Sequence, residues 1–230
     1  MAGFDRVAGT VELYLDPRAE RRGRSDLSHL REGDRARIDG PLGRGFDVDA
    51  RSRHVLVVSD VAGVAGIRAL VLDMVAAGRQ VTVLLGARSA QDVLPSTLLP
   101  DEAEYVVATE DGSLGHRGSV IDLVPTYEAW ADQCFAAGSA DLLTRLAVLA
   151  AGRDQRMGVA RLERRPRRDA RPTPTRARRK AWLQVVLPHP AGCALGVCLG
   201  CVAQGTSGPV RVCREGPAFA SHELRWAEVP

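Results

Sequence analysis

The sequence has no uncharged apolar run of about 20 residues, the length that a membrane-spanning helix requires. Its most apolar stretch, residues 55–77, is interrupted by Asp60, Arg68 and Asp73. The first 16 residues hold no basic segment followed by an apolar one, so no secretory signal is expected. The hydrophobic fraction of 45% is ordinary for a globular chain. We therefore expect a cytoplasmic protein without membrane contact.

The sequence also lacks the constellations that are typical of a self-sufficient enzyme. No Ser/His/Asp set and no carboxylate pair stand out in it. The histidines are scattered along the chain, at His29, His54, His116, His189 and His222. Isolated histidines of this kind are more often surface or packing residues than ligands. We predict no catalytic residue in this chain.

Lysine is nearly absent, and the basic charge is concentrated in one arginine-rich segment. Residues 153–180 hold 12 basic and 3 acidic residues, a net charge of +9, whereas the whole chain carries +3. Because this segment has few large apolar residues, burial cannot offset its ordering entropy, and we predict a flexible linker. A nucleic-acid or partner-binding module is the alternative, since arginines neutralise phosphates. The lack of aromatic residues between the arginines favours the linker.

The middle of the chain alternates between short apolar runs and helical patterns. The predicted strands are residues 55–59, 81–85 (ended by Gly86), 105–108 and 134–136, and the predicted helices are residues 65–77 and 140–151. Continuous apolar strands separated by helices are typical of a parallel sheet covered on both faces. Shorter strands are predicted outside this region, at residues 9–15, 34–38, 183–187 and 210–213. The pattern predicts an α/β fold.

Four of the five cysteines lie within 21 residues near the C-terminus. They follow the spacing C-x4-C-x2-C-x11-C and are Cys193, Cys198, Cys201 and Cys213. Plant-type [2Fe–2S] sites use C-x4-C-x2-C with a more distant fourth cysteine. Glycine at 192, 196 and 200 would let the backbone turn and bring its N–H groups near the sulfur atoms. The spacing predicts one [2Fe–2S] cluster.

Two other interpretations of these cysteines remain open. A structural zinc site is one, although zinc sites favour paired C-x2-C knuckles and only Cys198 and Cys201 form such a pair. A dithiol redox pair or inert buried thiols are the other. The remaining cysteine, Cys134, is predicted to be an ordinary strand residue, because a buried cysteine behaves as a small hydrophobic side chain.

Five segments together resemble the electron-transfer subunit of dihydroorotate dehydrogenase B. The most specific are residues 191–201 (AGCALGVCLGC) and 211–219 (RVCREGPAF). Residues 40–46 (GPLGRGF), 84–89 (LLGARS) and 109–118 (TEDGSLGHRG) agree in order. The resemblance covers nearly the whole chain except the arginine-rich segment. It is most specific in the cysteine motif.

The resemblance implies a ferredoxin-reductase-like architecture. We expect a partial flavin-binding β-barrel in residues 1–50 and a nucleotide-binding α/β domain in residues 51–152. The linker would occupy residues 153–180 and a small [2Fe–2S] domain residues 181–230. The resemblance also implies a hetero-oligomer with an FMN-containing catalytic subunit that oxidises dihydroorotate in pyrimidine biosynthesis. Electrons would then pass through the cluster and FAD to NAD⁺ or another acceptor.

The resemblance also suggests nucleotide-binding residues, at positions where the sequence departs from the family. Gly23, Arg24 and Ser25 resemble the family's turn near the FAD pyrophosphate. For the dinucleotide, the candidates are Gly63 and Gly66 in a strand-to-helix turn, and Asp111, Gly112 and Ser113 in a loop. An ordinary turn and a surface turn are their respective alternatives.

Two departures weaken the NAD interpretation more than the cluster interpretation. Asp60 stands where the family has consecutive glycines, and its carboxylate would repel phosphate. Farther along, Ala137, Gly138 and Ser139 stand where the family has Cys-Gly-Pro, so that the family's thiol is absent.

Overall fold

The computed structural model describes residues 3–5, 7–12, 30–35, 42–156, 180–188 and 193–228. The predicted FAD residues Gly23, Arg24 and Ser25 lie outside these ranges, as do most of the predicted linker and residues 36–38 of a predicted strand. Near the N-terminus, β1 (Gly3–Asp5) and β2 (Thr10–Glu12) form an antiparallel hairpin. An ion pair of 2.6 Å between Glu12 Oε2 and Arg68 Nη1 ties this hairpin to the body of the protein.

The core of the described chain is a seven-stranded sheet with the order β11-β8-β7-β3-β4-β5-β6. Its strands are β3 (His54–Asp60), β4 (Gln80–Ala87), β5 (Glu104–Thr109), β6 (His116–Arg117), β7 (Gln133–Ala137), β8 (Leu183–Val186) and β11 (Ala218–Ala220). All neighbours are parallel except β11 and β8, which pair antiparallel. Strands β3, β4 and β7 are almost completely buried, as their continuous apolar sequences predict.

Helices cover both faces of the sheet and enclose two apolar clusters. Helix α1 (Val64–Ala76) packs on one face with Val55, Val57 and Phe135. On the other face, α2 (Val124–Glu128) and α3 (Ala140–Arg156) share a cluster with Leu56 and the C-terminal segment. The predicted α/β fold is therefore confirmed. Among the described residues, no helix is both long and apolar enough to cross a membrane.

The C-terminal segment is joined to the sheet through strand β11. Before that strand come the hairpin β9 (Val202–Gly205) and β10 (Gly208–Arg211), and the short helix α4 (Val212–Glu215). The side chains of Cys201, Val212, Cys213 and Phe219 belong to the same apolar cluster as helix α3. The segment that carries the cysteines is thus packed against the α/β core.

Several predicted element boundaries differ from the structure, and contacts explain three of the differences. Strand β4 does not end at Gly86, because Gly86 pairs with Asp60 and Ala108 and its missing Cβ leaves room for Val120. Helix α3 continues past Ala151 to Arg156, whose guanidinium pairs with Glu128 at 2.5 Å. The predicted strand 210–213 ends at Arg211, and Cys213 lies on helix α4, where Glu215 accepts the Arg211 N–H at 2.7 Å.

Candidate iron–sulfur centre and nucleotide edge

The β9–β10 hairpin brings two of the predicted ligands together. Cys201 lies directly before β9, and Cys213 is the second residue after β10. The pairing of Arg211 with Val202 and a hydrogen bond of 2.9 Å from Val212 N to Cys201 O fix the base of the hairpin. As a result the Sγ atoms of Cys201 and Cys213 lie 3.2 Å apart, and both residues are buried.

The other two predicted ligands lie on the loop before the hairpin. Left-handed backbone at Ala194, Gly196 and Leu199 folds this loop tightly, with φ values of 58°, 75° and 55°. A left-handed conformation is unfavourable for residues with a Cβ, so surrounding contacts must maintain it at Ala194 and Leu199. The fold of the loop aims backbone N–H groups at sulfur atoms.

Those N–H groups are hydrogen-bond donors to the cysteine sulfurs. Leu195 and Cys198 each donate a backbone N–H to Cys193 Sγ at 3.4 Å, and Gly200 donates to Cys198 Sγ at 3.4 Å. Backbone N–H groups near Cys193 lower the pKa of its thiol to about 6, because they stabilise the thiolate. The same geometry would stabilise a thiolate bound to a metal.

The arrangement of the thiols fits a two-iron cluster. Cys193 Sγ accepts the backbone N–H of Cys198, and the Sγ atoms of Cys201 and Cys213 lie 3.2 Å apart, so the four cysteines form two neighbouring pairs. In a [2Fe–2S] cluster held by four cysteines, the protein ligands are shared between two irons, whereas a structural zinc ion gathers four ligands around one point. The donor set therefore fits the iron–sulfur cluster better than zinc.

Arg211 connects the β9–β10 hairpin to the loop that precedes it. Its guanidinium donates to the Gly196 carbonyl at 3.2 Å and pairs with Glu215, with distances of 3.1 Å from Nε and 2.5 Å from Nη2. Proximity to the thiols of Cys213 and Cys201 contributes to a raised pKa for this guanidinium, after the hydrogen bond to Glu215. Sequence reasoning missed Arg211, although its spacing of four residues from Glu215 could have indicated the pair.

Three exposed apolar side chains lie between the ligands of the loop. Leu195, Val197 and Leu199 are 70%, 73% and 64% exposed, and they flank Cys198, which is itself exposed. We call these three residues the apolar rim. The fifth cysteine, Cys134, is fully buried in β7, and burial raises the pKa of its thiol. The prediction that Cys134 is an ordinary strand residue is confirmed.

A cleft of about 580 Å³ opens at the carboxyl end of the parallel strands, where α/β proteins bind ligands. Its lining includes Asp60, Arg88, Glu110, Ser139 and Arg145. Of these, sequence reasoning singled out Asp60 and Ser139, as departures from the family pattern. Arg88 lies within residues 84–89, one of the segments that resemble the family. Nothing in the sequence indicated a functional role for Arg145, which lies on the exposed side of a helix.

The five predicted dinucleotide residues lie around this cleft but not in its lining. Gly63 and Gly66 face Ala137 across the start of helix α1. Asp111 accepts hydrogen bonds from Ser113 N at 2.9 Å and Ser113 Oγ at 2.6 Å, and these bonds lower the pKa of its carboxyl. Gly112 turns this exposed loop with φ 75°. Nucleotide contact by these residues stays a prediction.

Comparison with known proteins agrees with this geometry. The iron–sulfur cluster binding domain of dihydroorotate dehydrogenase B matches residues 191–225, a range that holds all four predicted ligands. A solved structure of an NADH-dependent reduced ferredoxin–NADP oxidoreductase superposes with a TM-score of 0.66 at 23% identity. That match covers 88% of this chain and 65% of the other. The protein is thus an α/β chain of the ferredoxin-reductase type that carries an iron–sulfur cluster domain.

Similarity over the full length defines the family more narrowly. The electron transfer subunit of dihydroorotate dehydrogenase B (NAD⁺) from Desulforamulus reducens is 31% identical over 228 residues, which cover 96% of this chain and 76% of that protein. Its counterpart from Listeria monocytogenes is 27% identical over 230 residues, 98% of this chain and 79% of that protein. The chain belongs to the family of dihydroorotate dehydrogenase B electron transfer subunits.

Proposed function

We propose that this chain is the electron-transfer subunit that relays electrons from a dihydroorotate dehydrogenase catalytic subunit in pyrimidine biosynthesis. The observation that carries the proposal is the grouping of the four cysteines into two neighbouring pairs, Cys193 with Cys198 and Cys201 with Cys213. These four residues would hold a [2Fe–2S] cluster, which supplies a site that accepts and releases one electron at a time. FAD, if held by Gly23, Arg24 and Ser25, would connect this one-electron centre to NAD⁺ or another acceptor.

The residues around the thiols have distinct tasks in this proposal. The backbone N–H groups of Leu195, Cys198 and Gly200 stabilise negative charge on the sulfurs. The buried Cys201–Cys213 pair lies against the apolar cluster of the core, which excludes water from that side. Electrons would therefore reach and leave the cluster through its exposed side, where Cys198 and the apolar rim lie.

The apolar rim is the proposed docking surface for the catalytic subunit. Three large side chains that are about two-thirds exposed on one short loop are unusual for a surface that stays in water. Because electron transfer needs close approach, a partner that covers the loop would also bring its own redox group near the cluster. We propose that this partner carries FMN and that the complex is a hetero-oligomer.

We propose the domain boundaries given above as functional units as well. Residues 1–50 would contribute to flavin binding, residues 51–152 to nucleotide binding and residues 181–230 to the cluster. The last two units share one sheet, because β8 and β11 extend the strands of the α/β domain. Such a shared sheet would keep the cluster at a fixed distance from the cleft.

Anaerobic purification followed by iron, sulfide and flavin quantification tests the cluster. We expect a red-brown protein with about two irons and two sulfides per chain, as one [2Fe–2S] cluster requires. Cys201→Ala should lose the iron and the visible absorption, because it removes a buried ligand. Cys134→Ala is the matched control, since it removes an equally buried thiol outside the centre, and it should keep both.

Two results would contradict the proposal. A colourless protein with zinc in place of iron would favour a structural metal site. Equal iron content in the Cys201→Ala and Cys134→Ala variants would show that iron is bound elsewhere or not specifically.

A further inference from the structure

The turn that follows strand β3 is occupied by a carboxylate of the chain itself. Asp60 is the last residue of β3, and its Oδ1 accepts a hydrogen bond from Gly63 N at 3.1 Å. Its Oδ2 accepts a second one from Ser139 N at 2.8 Å. The two donors lie at the starts of α1 and α3, the helix ends that would face a bound anion. One side chain thus accepts the Ser139 N–H and shares the Gly63 N–H with the Asp60 main-chain carbonyl, which accepts it at 3.0 Å.

The glycines of these turns make room for protein atoms and not for a ligand. A Cβ on Gly63 would lie 1.9 Å from the Ala137 carbonyl oxygen, and one on Gly66 would lie 3.3 Å from the Ala137 Cβ. On the opposite turn, a Cβ on Gly138 would lie 2.8 Å from Asp60 Oδ1. In dinucleotide-binding turns, the absent side chain lets the backbone approach a pyrophosphate. Here the corresponding space is filled by Ala137 and Asp60.

The charge around the cleft is also unfavourable for a diphosphate. Four carboxylates and two guanidiniums line it: Asp60, Asp92, Glu110, Asp141, Arg88 and Arg145. One of the two cations is engaged already, since Arg145 Nη1 lies 3.8 Å from Asp141 Oδ2 and donates to Ser119 Oγ at 3.4 Å. A ligand with two negative charges would meet net repulsion at this edge of the sheet.

We infer that the Asp60 carboxylate stands in for a ligand phosphate, so that this chain does not bind the diphosphate of a pyridine dinucleotide at the carboxyl end of the sheet. The inference rests on the proposed function in one respect: it removes NAD⁺ from the proposed electron acceptors and leaves another acceptor. It also removes pyridine dinucleotides from the nucleotides proposed for residues 51–152. Its geometry is independent of the cluster, because Asp60 and its donors belong to the α/β domain.

Binding of NADH to the full-length protein, followed by isothermal titration calorimetry and NADH fluorescence, tests the inference. ADP serves as a second probe that carries the diphosphate without the nicotinamide. We expect wild-type protein to bind neither probe measurably in the micromolar range. Asp60→Gly frees the Ser139 N–H, leaves the Gly63 N–H only its bond to the main-chain carbonyl of residue 60, and removes one negative charge. It should therefore bind both probes at least tenfold more tightly.

A second variant keeps the test valid if Asp60→Gly unfolds. Asp60→Asn keeps the size of the side chain and one oxygen acceptor, replaces the other oxygen by an NH2 group, and removes the charge. Its affinity should therefore fall between those of wild type and Asp60→Gly. Thermal unfolding of each variant shows whether it is folded.

Two outcomes overturn the inference: wild-type protein that binds NADH as tightly as the Asp60 variants, or folded variants that bind no better than wild type. Iron and sulfide content are measured on the same samples. A chain without a cluster would refute the proposed function and leave the result on Asp60 standing.

Discussion

Backbone N–H groups point at a single acceptor both in the cysteine loop and in the turn after β3, but only the cysteine loop is open to a ligand. In both, a tight backbone directs N–H groups at one acceptor: Cys193 Sγ in the loop and the Asp60 carboxylate in the turn. The sulfur is exposed enough to take a metal, whereas the carboxylate already fills the position of a ligand. Backbone donors alone therefore do not define a binding site. The identity of the acceptor decides whether the site is open.

The two regions also differ in how the fold maintains them. The turn is held from within the parallel sheet, where Ser59 Oγ donates to the Ala137 carbonyl at 2.9 Å. The residues that follow Cys213 are held from outside by a strap, residues 42–47, that crosses to the C-terminal segment. Arg44 N donates to the Gly216 carbonyl, and Ala218 N donates to the Arg44 carbonyl at 3.3 Å. Loss of the strap should therefore affect the cluster and spare the turn.

Gly43→Ala should have the largest effect. Gly43 has φ 68°, and a Cβ on it would lie 1.9 Å from the Gly216 carbonyl oxygen. The left-handed backbone and the overlap together should lower the free energy of unfolding by roughly 2–4 kcal/mol. Urea unfolding measures this loss, and iron release to a chelator should become faster because the strap no longer holds the segment after Cys213.

Gly33→Ala is the matched control for the strap variant. Gly33 also has a left-handed backbone, with φ 93°, but its Cβ would meet nothing within 4 Å. Only the cost of a left-handed backbone should remain, a loss of about 1–2 kcal/mol in the free energy of unfolding. The rate of iron release should equal that of the wild type. Equal iron release from both variants would mean that the strap does not support the centre.

The apolar rim allows the next largest prediction. Val197→Glu puts a charge on a side chain that is 73% exposed, so the cluster should assemble normally. If the rim is the docking surface, affinity for the catalytic subunit should fall about tenfold or more, because a buried charge without a partner opposes association. Val148→Glu alters a side chain that is 67% exposed on α3 and should leave affinity unchanged. Size-exclusion co-elution and titration calorimetry measure both, and equal affinities would exclude the rim.

Much of the sheet could be predicted because burial on both faces leaves a clear sequence signal. The strands around Val57, Val83 and Phe135 are continuous apolar runs, and the structure has each of them. Strand β11 was missed, because three residues next to Pro217 carry no periodic pattern and pair only through the tertiary fold. Strand β6, with two residues, is too short for any pattern.

The candidate site was predictable to a similar, limited degree. The cysteine ligands are local in sequence, so their spacing alone indicates a cluster. The contact between Asp60 and Ser139 joins residues 79 positions apart, and the sequence could predict the repulsion by Asp60 but not the second donor that it satisfies. Likewise, Cys213 was predicted on a strand because Val210, Arg211 and Val212 are compatible with one. The Arg211–Glu215 pair, which closes a helical turn there, is a side-chain effect.

The smallest predicted effect concerns the charges of Arg211 and Glu215 beside the cluster. It distinguishes an electrostatic effect of Arg211 on the cluster from a structural role. Arg211→Gln and Glu215→Gln each break the same ion pair, and Arg211→Gln also removes the donor to the Gly196 carbonyl. Their charges differ in sign, however. Removal of the guanidinium should make the cluster harder to reduce, whereas removal of the carboxylate should make it easier. At a fixed solution potential, the ratio of reduced to oxidised cluster should shift by about threefold in opposite directions, as expected for one unit charge near an exposed site. Redox titration followed by electron paramagnetic resonance measures this ratio. Shifts in the same direction would mean that Arg211 acts only by holding the Gly196 carbonyl in place, as the strap holds Gly216.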